Sequence, residues 1–164
     1  MSTRTTTAVA LGALAILTLT ACAGGPAVNE PSTPKASVTR EQAEERTGDV
    51  QRKIIDAFPA GAVADDSTSG WTLLACTDSE VQSSTGAKLT LARDVDVDDT
   101  YAAITEAVEG DGYTTQTGTT PKGAKRLTVT GSDDDQYLVT IYNDTKNVRI
   151  SSFSQCFPGA LTDD

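Results

Sequence analysis

The chain contains no histidine, and only three cysteines, one tryptophan and one methionine. Without histidine it lacks the commonest general base at neutral pH and the commonest metal-binding ring. No imidazole is available to activate a thiolate either, which argues against catalytic use of the cysteines. Basic residues are also scarce. Lys plus Arg number 13 against 23 Asp plus Glu, a net charge of −10. Such a surface repels the phosphates of nucleic acid and does not lie flat on anionic lipid. It favours solubility and, at most, a basic partner. No G-x-S-x-G or P-loop pattern occurs, and no cofactor or metal is expected.

A long hydrophobic run is missing too. The most apolar stretch, Ala8 to Leu19, is interrupted by Gly12 and Thr18. It has about a dozen residues where a spanning helix needs roughly 20. Arg4 is the only charge before Glu30, so the segment has the charged start, short apolar middle and small-residue end of a signal peptide. Its end, Leu19-Thr20-Ala21-Cys22, resembles the lipobox of bacterial lipoproteins. That resemblance implies cleavage before Cys22 and diacylation of its sulfur. Two acyl chains suffice for stable anchoring where one is marginal. Residues 1–21 are therefore expected to be a signal peptide, and 22–37 the lipidated cysteine with a flexible Pro/Gly-rich linker. The linker would span on the order of 20 Å. Removing residues 1–21 takes away Arg4 and no acid, which shifts the charge from −10 to −11.

With Cys22 assigned to the anchor, Cys76 and Cys156 remain as an even pair in an exported domain, and a disulfide between them is expected. In the chain-entropy model, a loop of about 80 residues closed this way contributes on the order of 4–5 kcal/mol.

Residues 38–164 are expected to form one domain. Thr39 opens a capping box with Gln42. Ala43, Val50, Ile54 and Phe58 then recur at helical spacing, with Thr47 on the same stripe, and Pro59 stops the helix. A Gly/Asp/Ser loop leads to an alternating strand in GWTLLACTDS. Ser79–Gly86 reads as a hairpin connection, and AKLTLARDV as the next strand. Asp98 or Asp99 would cap a second helix striped by Val97, Tyr101, Ile104 and Val108 and ended by Gly110 and Gly112. Four strands follow, at Gly112–Thr117, Lys125–Thr130, Gln136–Tyr142 and Asn147–Phe153, joined by turn sequences. The order is α-β-β-α-β-β-β-β. Short links mean antiparallel pairing, so the expected fold is α+β, a sheet of about five to six strands with two helices on one face.

The acids give two candidate sites. Asp94, Asp96, Asp98 and Asp99 resemble the start of a calcium loop. The sixth position is not Gly, however, and Thr105 stands where a bidentate Glu belongs. A strand running into a helix cap is the preferred reading. Asp133, Asp134 and Asp135 read as a solvated hairpin turn.

The layout as a whole is similar to small actinobacterial cell-envelope lipoproteins of the LppA-like kind. Leu19–Cys22, Trp71 with Cys76, and Cys156 carry the likeness. The family generally has no assigned activity, so the likeness implies a fold and a place, with no catalytic residue. The expectation is a non-catalytic binding or interaction module held on the extracytoplasmic face of the cell membrane through Cys22. Its partner would be an envelope protein or a small ligand, not nucleic acid. A carboxylate-using envelope hydrolase is the alternative. The expected binding surface is the sheet face away from the helices, bearing either the Leu138–Tyr142 set or the Tyr137–Ile141 set.

Overall fold

The computed structural model describes residues 37–161. The lipobox, Cys22 and the linker before Ser37 lie outside the described residues. The elements are α1 (Arg40–Asp56), β1 (Val63–Thr68), β2 (Thr72–Ala75), β3 (Glu80–Leu91), α2 (Val97–Glu109), β4 (Thr114–Thr119), β5 (Lys125–Thr130), β6 (Gln136–Tyr142), β7 (Asn147–Phe153) and β8 (Phe157–Pro158). One sheet holds all eight strands in the order β1-β3-β7-β6-β5-β4, and β2 and β8 also pair with β3. Every pairing is antiparallel. The α+β architecture is as expected, with more strands than the five to six anticipated.

The extra strands arise at β3. The expected hairpin at Ser79–Gly86 is instead the first half of a 12-residue strand. Its Ser and Thr residues mimic turn chemistry, but the hydroxyls of Ser83 and Thr85 are bonded in place. Ser83 Oγ donates to Glu44 Oε1 at 2.7 Å, and Thr85 Oγ1 donates to the Ser69 carbonyl at 2.8 Å. One side of β3 carries β1 and then β2, separated by a break at Ser69–Trp71, and the other carries β7 and then β8. β1 occupies what read as a loop. Its VADDST sequence is almost wholly exposed, so no apolar alternation announces it.

Both helices cover one sheet face. Thr39 caps α1 with the full box, its side chain accepting from Gln42 N and the Gln42 side chain accepting from Thr39 N. Asp96, not Asp98 or Asp99, caps α2, and its carboxylate accepts from both their backbone amides. One core lies between the layers. Ile54, Ile104 and Val108 enter it from the helices, and Leu89, Leu127, Val129, Val139, Val148 and Ile150 from the sheet. Full burial of each such side chain is worth about 1.5–3 kcal/mol. A smaller cluster of Ala43, Val81 and Phe157 lies under the start of α1. Beside it, the sulfurs of Cys76 and Cys156 stand 2.02 Å apart, a disulfide distance, with Cα atoms 6.3 Å apart.

Candidate functional site

Two polar constellations stand out, one on each side of the sheet. The first is buried under α1. Asp135 is 1 % exposed, and its Oδ2 accepts from the Tyr113 hydroxyl at 2.8 Å and the Tyr137 hydroxyl at 3.1 Å. The two rings meet edge to face, with centroids 5.9 Å apart. Arg46 Nε donates to the Tyr113 hydroxyl at 3.3 Å, and its Nη1 donates to Asp133 Oδ2 at 3.0 Å. The bond to Tyr113 holds the guanidinium charged, pushing its pKa up against the opposing cost of burial. Burial likewise pushes both tyrosines up. Asp135 is therefore not part of a solvated turn, and this corrects the sequence expectation. Tyr137, two residues on, and Tyr113, 22 residues back, converge on it, with Arg46 of α1 behind Tyr113, and periodicity carries no sign of that. The network ties α1 to the β5–β6 turn. The hollow beside it, about 430 Å³, is lined by Glu45, Asp49 and Asp111 among others. Asp111 is engaged by Lys53.

The other acids also have local work. Asp96 is a helix cap, Asp98 pairs with Lys125, and Asp94 pairs with Lys146. The residues that resembled a calcium loop thus point to different partners. Among the described residues no group of three or more potential ligands is placed to hold a metal.

The second constellation lies on the sheet face away from the helices. Tyr137, Val139 and Ile141 belong to the core, so Leu138, Thr140 and Tyr142 face outward. By the same alternation, β3 presents Ser84, Gly86, Lys88 and Thr90, β7 presents Asn147, Arg149 and Ser151, and β5 presents Arg126, Thr128 and Thr130. Register aligns these into rows. Lys88 stands opposite Arg149, Arg149 opposite Thr140, and Thr140 opposite Arg126. Three cations therefore share one row across four strands. Strands β4 to β7 contain no Asp or Glu, and β3 has only Glu80 at its first position. None of the three cations has a hydrogen bond or ion pair to another described residue. Other bases are engaged, as in the pairs Arg40–Glu44, Lys53–Asp111, Lys125–Asp98 and Lys146–Asp94.

The row is costly as it stands. Like charges directly opposite each other across a strand pair destabilise a sheet. Arg126 Nε and Asn147 Oδ1 are buried without a hydrogen-bond partner. Each such atom costs about 1–3 kcal/mol. Thr140 is only 4 % exposed although it faces outward, because the long side chains beside it in the row shield it. Two shallow hollows meet at Arg149. One, about 350 Å³, is lined by Lys122, Tyr142, Thr145 and Asn147. The other, about 370 Å³, is lined by Lys88, Gly86, Ser67 and Ser151 among others.

No protein-family model matches the chain, and neither does any curated protein or solved structure. Lys88, Arg126, Arg149 and Lys122 were not singled out in the sequence as site residues. The available signal was the absence of acids from the last four strands of an acidic chain. Their alignment in one row depends on register, which no local pattern displays.

Proposed function

We propose that this protein is a lipid-anchored, non-catalytic binding module of a bacterial cell envelope, and that the open sheet face is its binding surface. The observation that carries the proposal is the unpaired row Lys88–Arg149–Arg126 in a protein of net charge −10. An acidic protein spends three of its few cations in one row, with no carboxylate directly opposite any of them and none in an ion pair with them; an anionic ligand would neutralise them. The lipobox-like Leu19–Cys22 supports the tether, with Cys22 diacylated and the domain displayed outside the cytoplasmic membrane. The likeness in layout to LppA-like lipoproteins supports the same address. Cys76 and Cys156 at disulfide distance suit an oxidising compartment. The carboxylate-hydrolase alternative gains no support from acids that serve as caps and ion pairs.

The test is performed on the full chain in a bacterial host. Wild type is expected to incorporate a palmitate analogue and to fractionate with membranes, and Cys22→Ser is expected to do neither. A photo-crosslinking residue is placed at Ser151 on the open face, or at Glu106 on α2. Discrete adducts are expected from position 151 and none from 106. Adducts from 106 alone, or from neither position, would overturn the open-face assignment. Unchanged membrane association of Cys22→Ser would overturn the tether.

A further inference from the structure

We infer that the ligand of the open face is an acidic saccharide chain, in which sugar units each carry a single negative charge. The inference rests on the open face being the binding surface. Three properties of the face point to this class of ligand.

The first is the spacing of the cations. Lys88, Arg149 and Arg126 stand on separate strands, with Thr140 on the strand between the two arginines. Neighbouring strands lie about 4.8 Å apart, so the row offers positive charge at intervals of roughly 5 and 10 Å. Both helices pack on the opposite face, so no helix N-terminus contributes to a compact anion cradle. A spaced row suits charges repeated along a chain better than one concentrated phosphate group. The forked guanidinium of an arginine matches an oxyanion with two oxygens.

The second property is the set of hydroxyls around the cations: Thr90, Thr128 and Ser151 all face the same way. Each can both donate and accept a hydrogen bond. A carboxylate or phosphodiester alone supplies only acceptors at neutral pH. A sugar supplies hydroxyl donors beside its anionic group, and so uses both capacities.

The third property is the floor of the hollow at Arg149. Tyr142 stands opposite Asn147 in the β6–β7 register, and both line the hollow with Lys122. An aromatic ring with a polar tip, flanked by an amide and two cations, can take the C–H face of a sugar ring while its hydroxyls and charge reach the rim. An acidic peptide would satisfy the cations but would not need the ring.

Binding of the full chain, purified in detergent, is measured by calorimetry. The probes are an oligogalacturonate, a sugar polymer linked by phosphodiesters, a neutral oligosaccharide of equal length, oligoglutamate, and vesicles of anionic lipid. Binding of either acidic sugar in preference to the other three supports the inference, and the stronger of the two identifies the anionic group. Arg149→Gln and Lys88→Gln are each expected to weaken that binding at least about tenfold. Tyr142→Ala is expected to weaken acidic-sugar binding by roughly as much, while leaving any residual oligoglutamate binding unchanged. Lys88→Gln removes the like-charge opposition, so its thermal midpoint should not fall, which separates lost binding from lost folding. Glu106→Gln is the control expected to bind as wild type. Oligoglutamate, the neutral sugar or the vesicles binding as well as the acidic sugars would overturn the ligand class. So would self-association by sedimentation that Lys88→Gln abolishes, since the occupant would then be a second copy. Loss of the photo-adducts at position 151 would instead overturn the choice of face.

Discussion

The hydroxyls of Tyr101, Tyr113 and Tyr137 are buried, and burial is the leading reason each stays protonated beyond its ordinary range. Tyr101 is pushed up to about 12, and its hydroxyl donates to the carbonyls of Lys125 at 3.0 Å and Val139 at 3.1 Å. In the unfolded chain these groups titrate near 10. Below about pH 10 both states hold the proton, and the stability from these residues is fully present. Above it the unfolded chain loses protons first, so stability falls as pH rises towards and through the folded values. The melting temperature should therefore be nearly flat between about pH 7 and 9 with respect to these groups and drop above about 10. Tyrosinate absorbance from the three should appear together with loss of the far-ultraviolet circular dichroism. Their ionisation in a protein that keeps its sheet would contradict the burial described here. That Asp135 belongs to this group was not legible in the sequence. Asp133, Asp134 and Asp135 are adjacent and identical, and only Asp135 has two tyrosine hydroxyls waiting for it.

At the level of elements, the turn between β5 and β6 shows how little room the network leaves. A Cβ on Gly131 would stand 2.0 Å from Asp135 Oδ1 and 2.8 Å from Tyr113 Cε1. Gly131→Ala must therefore push the buried carboxylate off its tyrosines or move the turn. Overpacking of this kind, with a displaced buried charge, is expected to cost about 3 kcal/mol, read as a lower urea midpoint with unchanged slope. A loss below about 0.5 kcal/mol would mean that the Asp135 contacts contribute nothing. Elements with strong periodicity were the legible ones. The apolar stripe of α1 and the alternation of β5, β6 and β7 matched the structure in place and type, because each buries one face and the pattern repeats along it. β1 and the first half of β3 were not legible. One is an exposed edge, and the other packs small hydroxyl residues against polar groups of α1 and of the segment before β8. Ser83 N donates to Ser154 Oγ at 2.9 Å, a bond across 71 residues that no local window contains.

Across the whole molecule, β3 is the strand on which the two halves of the fold meet. At its first residues it is held by the four-residue β2 on one side and the two-residue β8 on the other. Cys76 follows β2 and Cys156 precedes β8, so the cross-link closes this end of the sheet over a separation of 80 residues. The paired variant Cys76→Ser/Cys156→Ser is expected to lose about 4 kcal/mol in denaturant unfolding. Amide protection should disappear at β2 and β8 before it does at β5 to β7. A loss under about 1 kcal/mol would show that the short strands hold this end unaided. Charge is also distributed at this scale. α2 carries Asp98, Asp99, Glu106 and Glu109 with no basic residue, while the opposite sheet face gathers Lys88, Arg126 and Arg149. The net figure of −10 conceals that division.

By itself the sequence determined what depends on neighbours along the chain: the cap and stripe of α1, the alternation of β5 to β7 and, through them, the α+β class. Such features follow from side-chain period and local hydrogen bonding, which act over a few residues. Only the tertiary structure decided that Leu138, Thr140 and Tyr142 face outward, that Asp135 is buried, and that three cations from β3, β7 and β5 share a row. These depend on strand register and on which face the helices cover, and both are set by packing between segments far apart in the chain.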